Sequence, residues 1–131
     1  MRAVVGTVDG VYLVDLEDET IMPLDAGEEL PSRAPVEVSL PLLVDAAAAG
    51  STVVAVVDRR PPLVVSHDAG RTWHEAGGGL PRGRAVAIAD DDPDLVLFAA
   101  RNRLYLSRDG GRFWRALAVE LPEIQSIAFD Q

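Results

Sequence analysis

The chain contains the octapeptide Ser66-His67-Asp68-Ala69-Gly70-Arg71-Thr72-Trp73 and a second copy of its pattern, Ser107-Arg108-Asp109-Gly110-Gly111-Arg112-Phe113-Trp114. Both copies read Ser-x-Asp-x-Gly-x-x-Trp, and each follows a short apolar run. They start at residues 66 and 107, which are 41 positions apart. A fixed spacing of about 40 residues is typical of repeat proteins, so the sequence predicts one structural unit around each octapeptide.

Each octapeptide has the residues of a tight turn between two β-strands. A Ser and an Asp two positions apart can accept hydrogen bonds from backbone N–H groups of the same turn, and Gly supplies a position with positive φ. The Trp then opens the next strand and can fold its apolar face over the turn. The residues given this structural role are Ser66, Asp68, Gly70 and Trp73 in the first copy and Ser107, Asp109, Gly111 and Trp114 in the second.

These two turns resemble the Asp-box, or BNR, repeat of sialidases, sortilin-type receptors and photosystem assembly factors. The resemblance covers roughly residues 42–131 and continues more weakly towards the N-terminus. In that family the box joins the third and fourth strands of a β-propeller blade, far from the active site. The resemblance therefore implies a propeller fold, and it implies a structural role for Asp68 and Asp109 rather than a role as catalytic acid or metal ligand.

Strand-like segments fill three units, so the sequence predicts one all-β domain over residues 1–131 with three four-stranded propeller blades. In the first unit, whose box has decayed, Asp9-Gly10 between apolar runs predicts a hairpin. Residues 25–41 contain three Pro and predict a long surface loop. The alanines at 46–49 fit either an inner strand or a helical turn. The boundaries are about residues 1–27 with 126–131 for blade 1, 42–77 for blade 2 and 84–117 for blade 3.

The two ends of the chain complete each other. The segment 126–131 resembles the predicted inner strand at 85–90, whereas the N-terminal unit lacks an inner strand. Propellers typically have about four to eight blades, and a three-bladed arc leaves open edges. We expect a six-bladed propeller in a two-fold homodimer, in which each C-terminal strand completes the first blade of the partner. The alternatives are a compact monomer, in which this strand pairs with its own N-terminus, and a ring of three chains.

The composition narrows the class of protein. With 131 residues, of which 48% are apolar, the chain is long enough for one domain with a core. No apolar run could span a bilayer, and the first residues read as a strand without signal-peptide features. The absence of Cys excludes disulfides, thiolate metal sites and a Cys nucleophile. We therefore expect a cytoplasmic protein that does not bind membranes.

The charge is acidic overall but unevenly distributed. A net charge of −9 argues against nucleic-acid binding. Residues 1–58 carry eleven acidic residues and two Arg, whereas residues 59–131 carry ten of each. The connections between blades and the turns between second and third strands share one face of a propeller. The arginines predicted to lie on this face are Arg59, Arg60, Arg82, Arg84, Arg101 and Arg103.

These arginines carry the functional hypothesis. The planar guanidinium binds carboxylate and phosphate groups with two parallel hydrogen bonds. We therefore predict a non-enzymatic binding or scaffold module that binds an anionic small molecule or an acidic protein segment at this face. The competing interpretation is that the arginines are solvated and pair with neighbouring acids.

The alternative function is a sialidase-like glycosidase, because sialidases carry the same box. Tyr12 and Tyr105 occupy equivalent repeat positions, which packing explains better than catalysis, and no pair of carboxylates with a suitable separation stands out. His67 and His74 have no evident third ligand, and the acids at 90–94 lack the spacing of a calcium loop. We nominate no catalytic residue, no metal ligand and no cofactor.

Overall fold

The computed structural model describes residues 1–24, 36 and 38–130, and these form three four-stranded antiparallel sheets. We call them the first sheet (order β12-β1-β2-β3), the second sheet (β4-β5-β6-β7) and the third sheet (β8-β9-β10-β11). The strands are β1 (Arg2–Thr7), β2 (Gly10–Asp15), β3 (Thr20–Pro23), β4 (Leu43–Ala49), β5 (Thr52–Val57), β6 (Leu63–Ser66), β7 (His74–Ala76), β8 (Ala85–Ala89), β9 (Asp92–Ala99), β10 (Arg103–Ser107), β11 (Arg115–Glu120) and β12 (Ile124–Asp130). The prediction of an all-β chain with three four-stranded units is confirmed.

The final strand completes the first sheet, but it does so within one chain. β12 pairs antiparallel with β1, with Ala3 opposite Phe129 and Val5 opposite Ile127. The backbone N–H of Val8 extends this pairing by donating to the carbonyl of Glu123 at 3.0 Å. The expectation that this strand pairs with a partner chain is therefore wrong. The physical reason is that β12 lies next to β8 and that β1 of the same chain lies on its other side, within reach for pairing.

Several element boundaries differ from the sequence prediction. The outer strand of the third sheet runs to Glu120 rather than ending at 117, and β12 begins at Ile124 rather than at 126. The acidic segment 90–94 is only in part a turn, because β9 already begins at Asp92. The alanines at 46–49 form a strand rather than a helical turn. Their helix propensity is overridden by tertiary packing, because Ala46 and Ala47 pack into apolar clusters on opposite faces of the second sheet.

β8 is the strand on which the three sheets converge. It contacts β12 of the first sheet on one side and β4 of the second sheet on the other. Ala87 packs into the cluster shared with the first sheet, whereas Val86 and Ile88 pack into the cluster shared with the second. β8 is buried along its whole length, which explains why its sequence is apolar at every position. The inner strands of the three sheets therefore stand side by side, in the order second, third, first.

The second sheet is apolar on both faces. Val54 and Val56 face the third sheet, and Ala55 and Val57 face away from it. This outward face is covered by Val36, Val38 and Leu40, which lie in the segment before β4. The predicted surface loop at 25–41 lies outside the described residues for 25–35 and 37, and so does residue 131 of the predicted C-terminal segment.

Phe98 on β9 fills the space between the second and third sheets. Its side chain is fully buried, and its ring centroid lies 5.9 Å from that of Tyr105 and 6.0 Å from that of Trp114. An added Cβ at Gly83 would lie 2.4 Å from Phe98 Cε2, so the connection between these sheets passes directly over the ring. Packing accounts for Tyr105, in line with the interpretation of this residue as structural.

Candidate functional site

The antiparallel pairing brings all six predicted arginines to the same end of the strands. We call this end of the sheets the arginine edge. In the second sheet, Leu63 pairs with Ala76, so the turn after β5 lies beside the end of β7. In the third sheet, Ala85 pairs with Ala99, so the start of β8 lies beside the turn after β9. The arginine edge consists of Arg59, Arg60, Arg82, Arg84, Arg101 and Arg103.

The best-defined part of this edge is a three-residue cluster around Glu123. Its carboxylate oxygen Oε1 lies 3.2 Å from Arg84 Nη2 and 3.0 Å from Arg101 Nε. Backbone hydrogen bonds hold the segments in place: Arg84 N donates to Ala99 O at 2.7 Å, and Ile124 N donates to Arg101 O at 2.8 Å. The two guanidinium groups are therefore positioned by rigid backbone to hold one carboxylate between them.

A second pair of contacts ties the same two connections together. Asn102 Nδ2 donates to the carbonyl of Leu121 at 2.9 Å, and Leu121 N donates to the carbonyl of Asn102 at 3.0 Å. Beside them, Arg103 Nη2 lies 3.0 Å from Glu120 Oε1. The turn after β9 and the connection after β11 thus form one fixed platform for the arginines of the third sheet.

The arginines of the second sheet are held more loosely. Arg82 Nη1 lies 3.5 Å from Asp58 Oδ1, and Arg59 Nη2 lies 4.0 Å from Glu75 Oε2. Arg60 is exposed and has no ion pair within the described ranges. No contact joins these three arginines to the cluster around Glu123 among the described side chains. The structure therefore places all six on one edge but brings only Arg84 and Arg101 onto a shared partner.

Five of the six arginines on this edge are paired with carboxylates. Each half carries three arginines and two paired carboxylates, although the whole chain has a net charge of −9. The paired side chains are largely exposed to solvent, and exposed ion pairs contribute only about 0–1 kcal/mol each. An external anion can therefore replace an internal carboxylate at little energetic cost.

The turn at residues 66–73, which we call the first box turn, satisfies the hydrogen-bonding groups of its own residues; the second box turn is the one at 107–114. Ser66 Oγ donates to Asp68 Oδ1 at 2.7 Å and accepts from Gly70 N at 2.8 Å. Thr72 donates to the same carboxylate through its N–H at 2.8 Å and through its hydroxyl at 2.6 Å. These donors, with Thr72 first and the Ser66 hydroxyl next, lower the pKa of Asp68 well below its ordinary range. The carboxylate is therefore ionised and occupied, the reverse of what a general acid requires.

The second box turn has the same geometry. Gly111 N donates to Ser107 Oγ at 2.9 Å, and Phe113 N donates to Asp109 Oδ1 at 3.0 Å. The Phe113 N–H, followed by the Ser107 hydroxyl, lowers the pKa of Asp109. Trp114 folds back over the turn and donates from Nε1 to the carbonyl of Gly111 at 2.9 Å. Both turns lie at the edge of their sheets opposite the arginine edge.

The two histidines lie side by side without forming a metal site. The ring centroids of His67 and His74 are 5.4 Å apart, and His67 Nδ1 is 3.5 Å from Thr52 Oγ1. In the part of the chain that the structure describes, no group of three His, Cys, Asp or Glu side chains could hold a metal ion. Within the same residues, no helix is long and apolar enough to cross a membrane.

Sequence reasoning found the arginines but missed their partners. Glu120 is the last residue of β11 and Glu123 immediately precedes β12, and the sequence pattern assigns neither a role. Glu123 meets Arg84, 39 residues earlier in the chain, so no local pattern connects them. The available signal is that both acids lie at the two ends of the connection that reaches the same edge.

Comparison with known proteins identifies a likeness of fold. No protein-family model and no curated protein matches the chain. Among solved structures, the GH74 enzyme of Niastella koreensis matches with a TM-score of 0.52 at 22% identity, covering 92% of this chain and 18% of that chain. YCF48 from Cyanidioschyzon merolae matches with a TM-score of 0.48 at 20% identity, covering 88% of this chain and 33% of that chain. A structure of YCF48 bound to D1 peptide matches with a TM-score of 0.49 at 16% identity, covering 88% and 36%.

These neighbours are β-propeller proteins, and the three sheets of this chain resemble propeller blades. The chain spans only 18–36% of the length of the matched structures. At these identities the likeness concerns the fold alone.

Proposed function

We propose that the protein is a non-enzymatic binding module that holds an anionic group at the arginine edge. The observation that carries this proposal is the cluster in which Arg84 and Arg101 hold the carboxylate of Glu123 between them. An internal carboxylate already occupies the position, so the cluster has the charge and spacing to bind an external one. The ligand class is a small polyanion or an acidic protein segment.

In this proposal Glu123 competes with the ligand for the two arginines. The side chain of Glu123 is 32% exposed, so an external carboxylate or phosphate has access to the same guanidinium groups. Arg103 and the looser arginines of the second sheet extend the positive edge around the cluster. A ligand that spans several of these side chains gains further ion pairs, because each internal pair is weak.

The test is titration calorimetry with citrate and pyrophosphate at low salt. Glu123→Gln removes the competing charge and keeps a polar side chain of the same size, so we expect tighter binding than in the wild type. Replacing Arg59, Arg60, Arg101 and Arg103 by Ser should abolish binding. Arg71→Ser is the matched control, because Arg71 is an exposed arginine on the first box turn at the opposite edge. Absence of heat from both the wild type and Glu123→Gln contradicts the proposal.

The glycosidase alternative predicts turnover of a fluorogenic sialoside. Asp68 and Asp109 cannot supply its general acid, because hydrogen bonds from their own turns lower their pKa values. A glycosidase needs one carboxyl group whose pKa is raised so that it can donate a proton. Sustained turnover by the wild type would nevertheless overturn the non-enzymatic assignment.

We also propose a six-bladed homodimer. Its two copies would be held together by apolar contacts rather than by exchange of β12 between chains. Apolar side chains are exposed at both ends of the row of sheets. Met22 on β3 is 54% exposed and lies opposite Leu13 on β2. Both side chains lie on the face of the first sheet that points away from the third sheet. Leu42 and Val44, at the start of β4, are 61% and 45% exposed. Packing of one end against the other end of a second copy would cover these side chains and close the ring, with the segment of Val36, Val38 and Leu40 lying between the two copies.

A further inference from the structure

Phe113 is the most exposed of the large apolar side chains in the described residues. It is 79% exposed, although it lies on a turn that hydrogen bonds hold rigidly. A large aromatic side chain that stabilises the fold is normally buried. The backbone of Phe113 is thus held in place while its ring faces solvent, and the packing of the ring contributes little to the fold.

In the first box turn, the residue at the position equivalent to Phe113 stabilises the turn with a side-chain hydrogen bond. The residue equivalent to Phe113 is Thr72, whose hydroxyl donates to Asp68 Oδ2 at 2.6 Å. Phe113 has no hydroxyl and makes only the backbone contact to Asp109. The second turn therefore lacks a stabilising hydrogen bond and exposes an aromatic ring at the same position. Such a local departure from the structural pattern, with no gain for the fold, marks a functional position.

Two arginines lie beside the exposed ring. Phe113 shares a cavity of about 310 Å³ with Arg108, Arg115, Asp109 and the apolar side chains of Leu106 and Trp114. Arg108 also borders a neighbouring cleft of about 550 Å³ between the first and third sheets, whose other charged lining residues are Arg2, Asp91, Asp92 and Asp130.

The positive charge at this turn is available to a ligand. Arg108 and Arg112 have no ion pair in the described part of the chain. The carboxylate of Asp109 is occupied by the turn, and Arg115 is paired with Glu19 at 3.1 Å. The turn therefore combines one exposed aromatic ring with unpaired guanidinium groups.

We infer that the second box turn is a docking surface for a protein segment in which an apolar side chain is flanked by Asp or Glu. The apolar side chain packs on Phe113 in the cavity beside Trp114, and the flanking carboxylates pair with Arg108 and Arg112. Aromatic and Arg side chains are the residues that most often dominate binding energy at protein interfaces. This surface lies at the edge opposite the arginine edge and is independent of the proposed anion site.

A protein segment fits this surface better than an anionic membrane does. The whole chain carries a net charge of −9, so a negatively charged bilayer repels most of its surface. A short segment can instead pair its carboxylates with Arg108 and Arg112, which have no ion pair of their own among the described residues. A membrane would also require a broader apolar face than one ring provides.

The probe is an array of synthetic eight-residue peptides. One set carries a single Leu, Phe or Trp flanked by Asp and Glu; a second set has Lys in place of the acids, and a third has the acids with Ala in place of the apolar residue. We expect the labelled wild-type protein to bind the first set selectively. The tightest peptide is then titrated by fluorescence polarisation against each variant.

Phe113→Thr is the decisive variant, because it recreates the residue of the first turn and should fold at least as stably as the wild type. We expect it to weaken binding roughly tenfold or more, and Phe113→Trp to retain binding. Arg108→Ser with Arg112→Ser should weaken binding severalfold, and Arg84→Ser with Arg101→Ser should leave it unchanged. This last pair separates the inference from the anion site at the other edge.

Three results would overturn the inference. The first is equal binding of the wild type and Phe113→Thr to the tightest peptide. The second is equal binding of the acidic peptides with and without the apolar residue. The third is binding to phosphatidylserine vesicles, lost in Phe113→Thr, without selective binding to any peptide set.

Discussion

Glu19 of the first sheet's outer turn binds Arg115 at the edge of the third sheet, with 3.1 Å between Glu19 Oε2 and Arg115 Nη1. Its other carboxylate oxygen accepts the backbone N–H of Ala118 at 2.7 Å. One side chain thus links two sheets and satisfies a donor on the otherwise unpaired side of β11. The contact spans 99 residues of sequence, so it forms only when the first and third sheets are both in place.

Removing this link should destabilise the protein modestly. Glu19→Ala deletes both contacts and should lower the free energy of unfolding by about 1 kcal/mol, because both lie at the surface. Glu19→Gln keeps an acceptor for Ala118 and should lose less. Urea denaturation measures the difference. Glu17→Gln, which removes an exposed partner of the N-terminus, is the control, and an equal loss there would show that the link contributes nothing specific.

Gly83 should tolerate no side chain. In Gly83→Ala the new Cβ would meet Phe98 Cε2 at 2.4 Å and Val56 Cγ1 at 2.8 Å, so the connection must move away from the core. We expect a loss of about 1–3 kcal/mol, which is typical of overpacking. Gly78→Ala is the matched control, because its Cβ would have no heavy atom within 4 Å. Similar thermal midpoints for the two variants would contradict the packing described around Phe98.

The box turns should make stability depend on pH in the acidic range. The pKa of Asp68 in the folded protein lies below its ordinary value of 3.8, so the unfolded chain binds this proton more readily. The stabilisation is therefore fully present above about pH 4 and is lost as the pH falls through the folded pKa. Urea unfolding between pH 6 and pH 2 should show a smaller acid loss in Asp68→Asn than in the wild type. Asp90→Asn removes an exposed carboxylate outside the two turns and controls for the loss of one surface charge.

Light scattering tests the proposed homodimer. A dimer has twice the monomer mass of 14.0 kDa. If exposed apolar side chains at the two ends hold the copies together, Met22→Thr with Leu42→Ser should shift the mass towards the monomer. Val8→Thr, an exposed apolar residue in the hairpin turn between β1 and β2, should leave the mass unchanged. A wild-type monomer at high concentration would refute the assembly and confine ligand binding to a single copy.

The sequence predicted the sheets because their turns are local. Ser66 and Asp68 satisfy the backbone of their own turn within a few residues, so the pattern alone specifies the hairpin. The strands that precede the two turns, β6 and β10, come from short, mostly apolar segments. By contrast, the alanines at 46–49 carry no strand signal of their own, and only the packing of both faces makes them a strand.

The residues around β12 do not predict which copy of β1 it pairs with. The sequence identified 126–131 as an inner strand, but an inner strand can complete a sheet in its own chain or in another. The choice depends on whether the chain places its own β1 beside β12, which is a three-dimensional property. The same holds for the arginine edge, where the charges were evident and the partners Glu120 and Glu123 were not.

The pairing of β1 with β12 also determines the order in which the sheets can form during synthesis of the chain. The second and third sheets are each built from one continuous segment and can form as soon as that segment leaves the ribosome. The first sheet must wait with the inner edge of β1 unpaired until residues 124–130 are made, after every other strand. During this delay β1 keeps an unpaired edge that is open to mispairing with other strands.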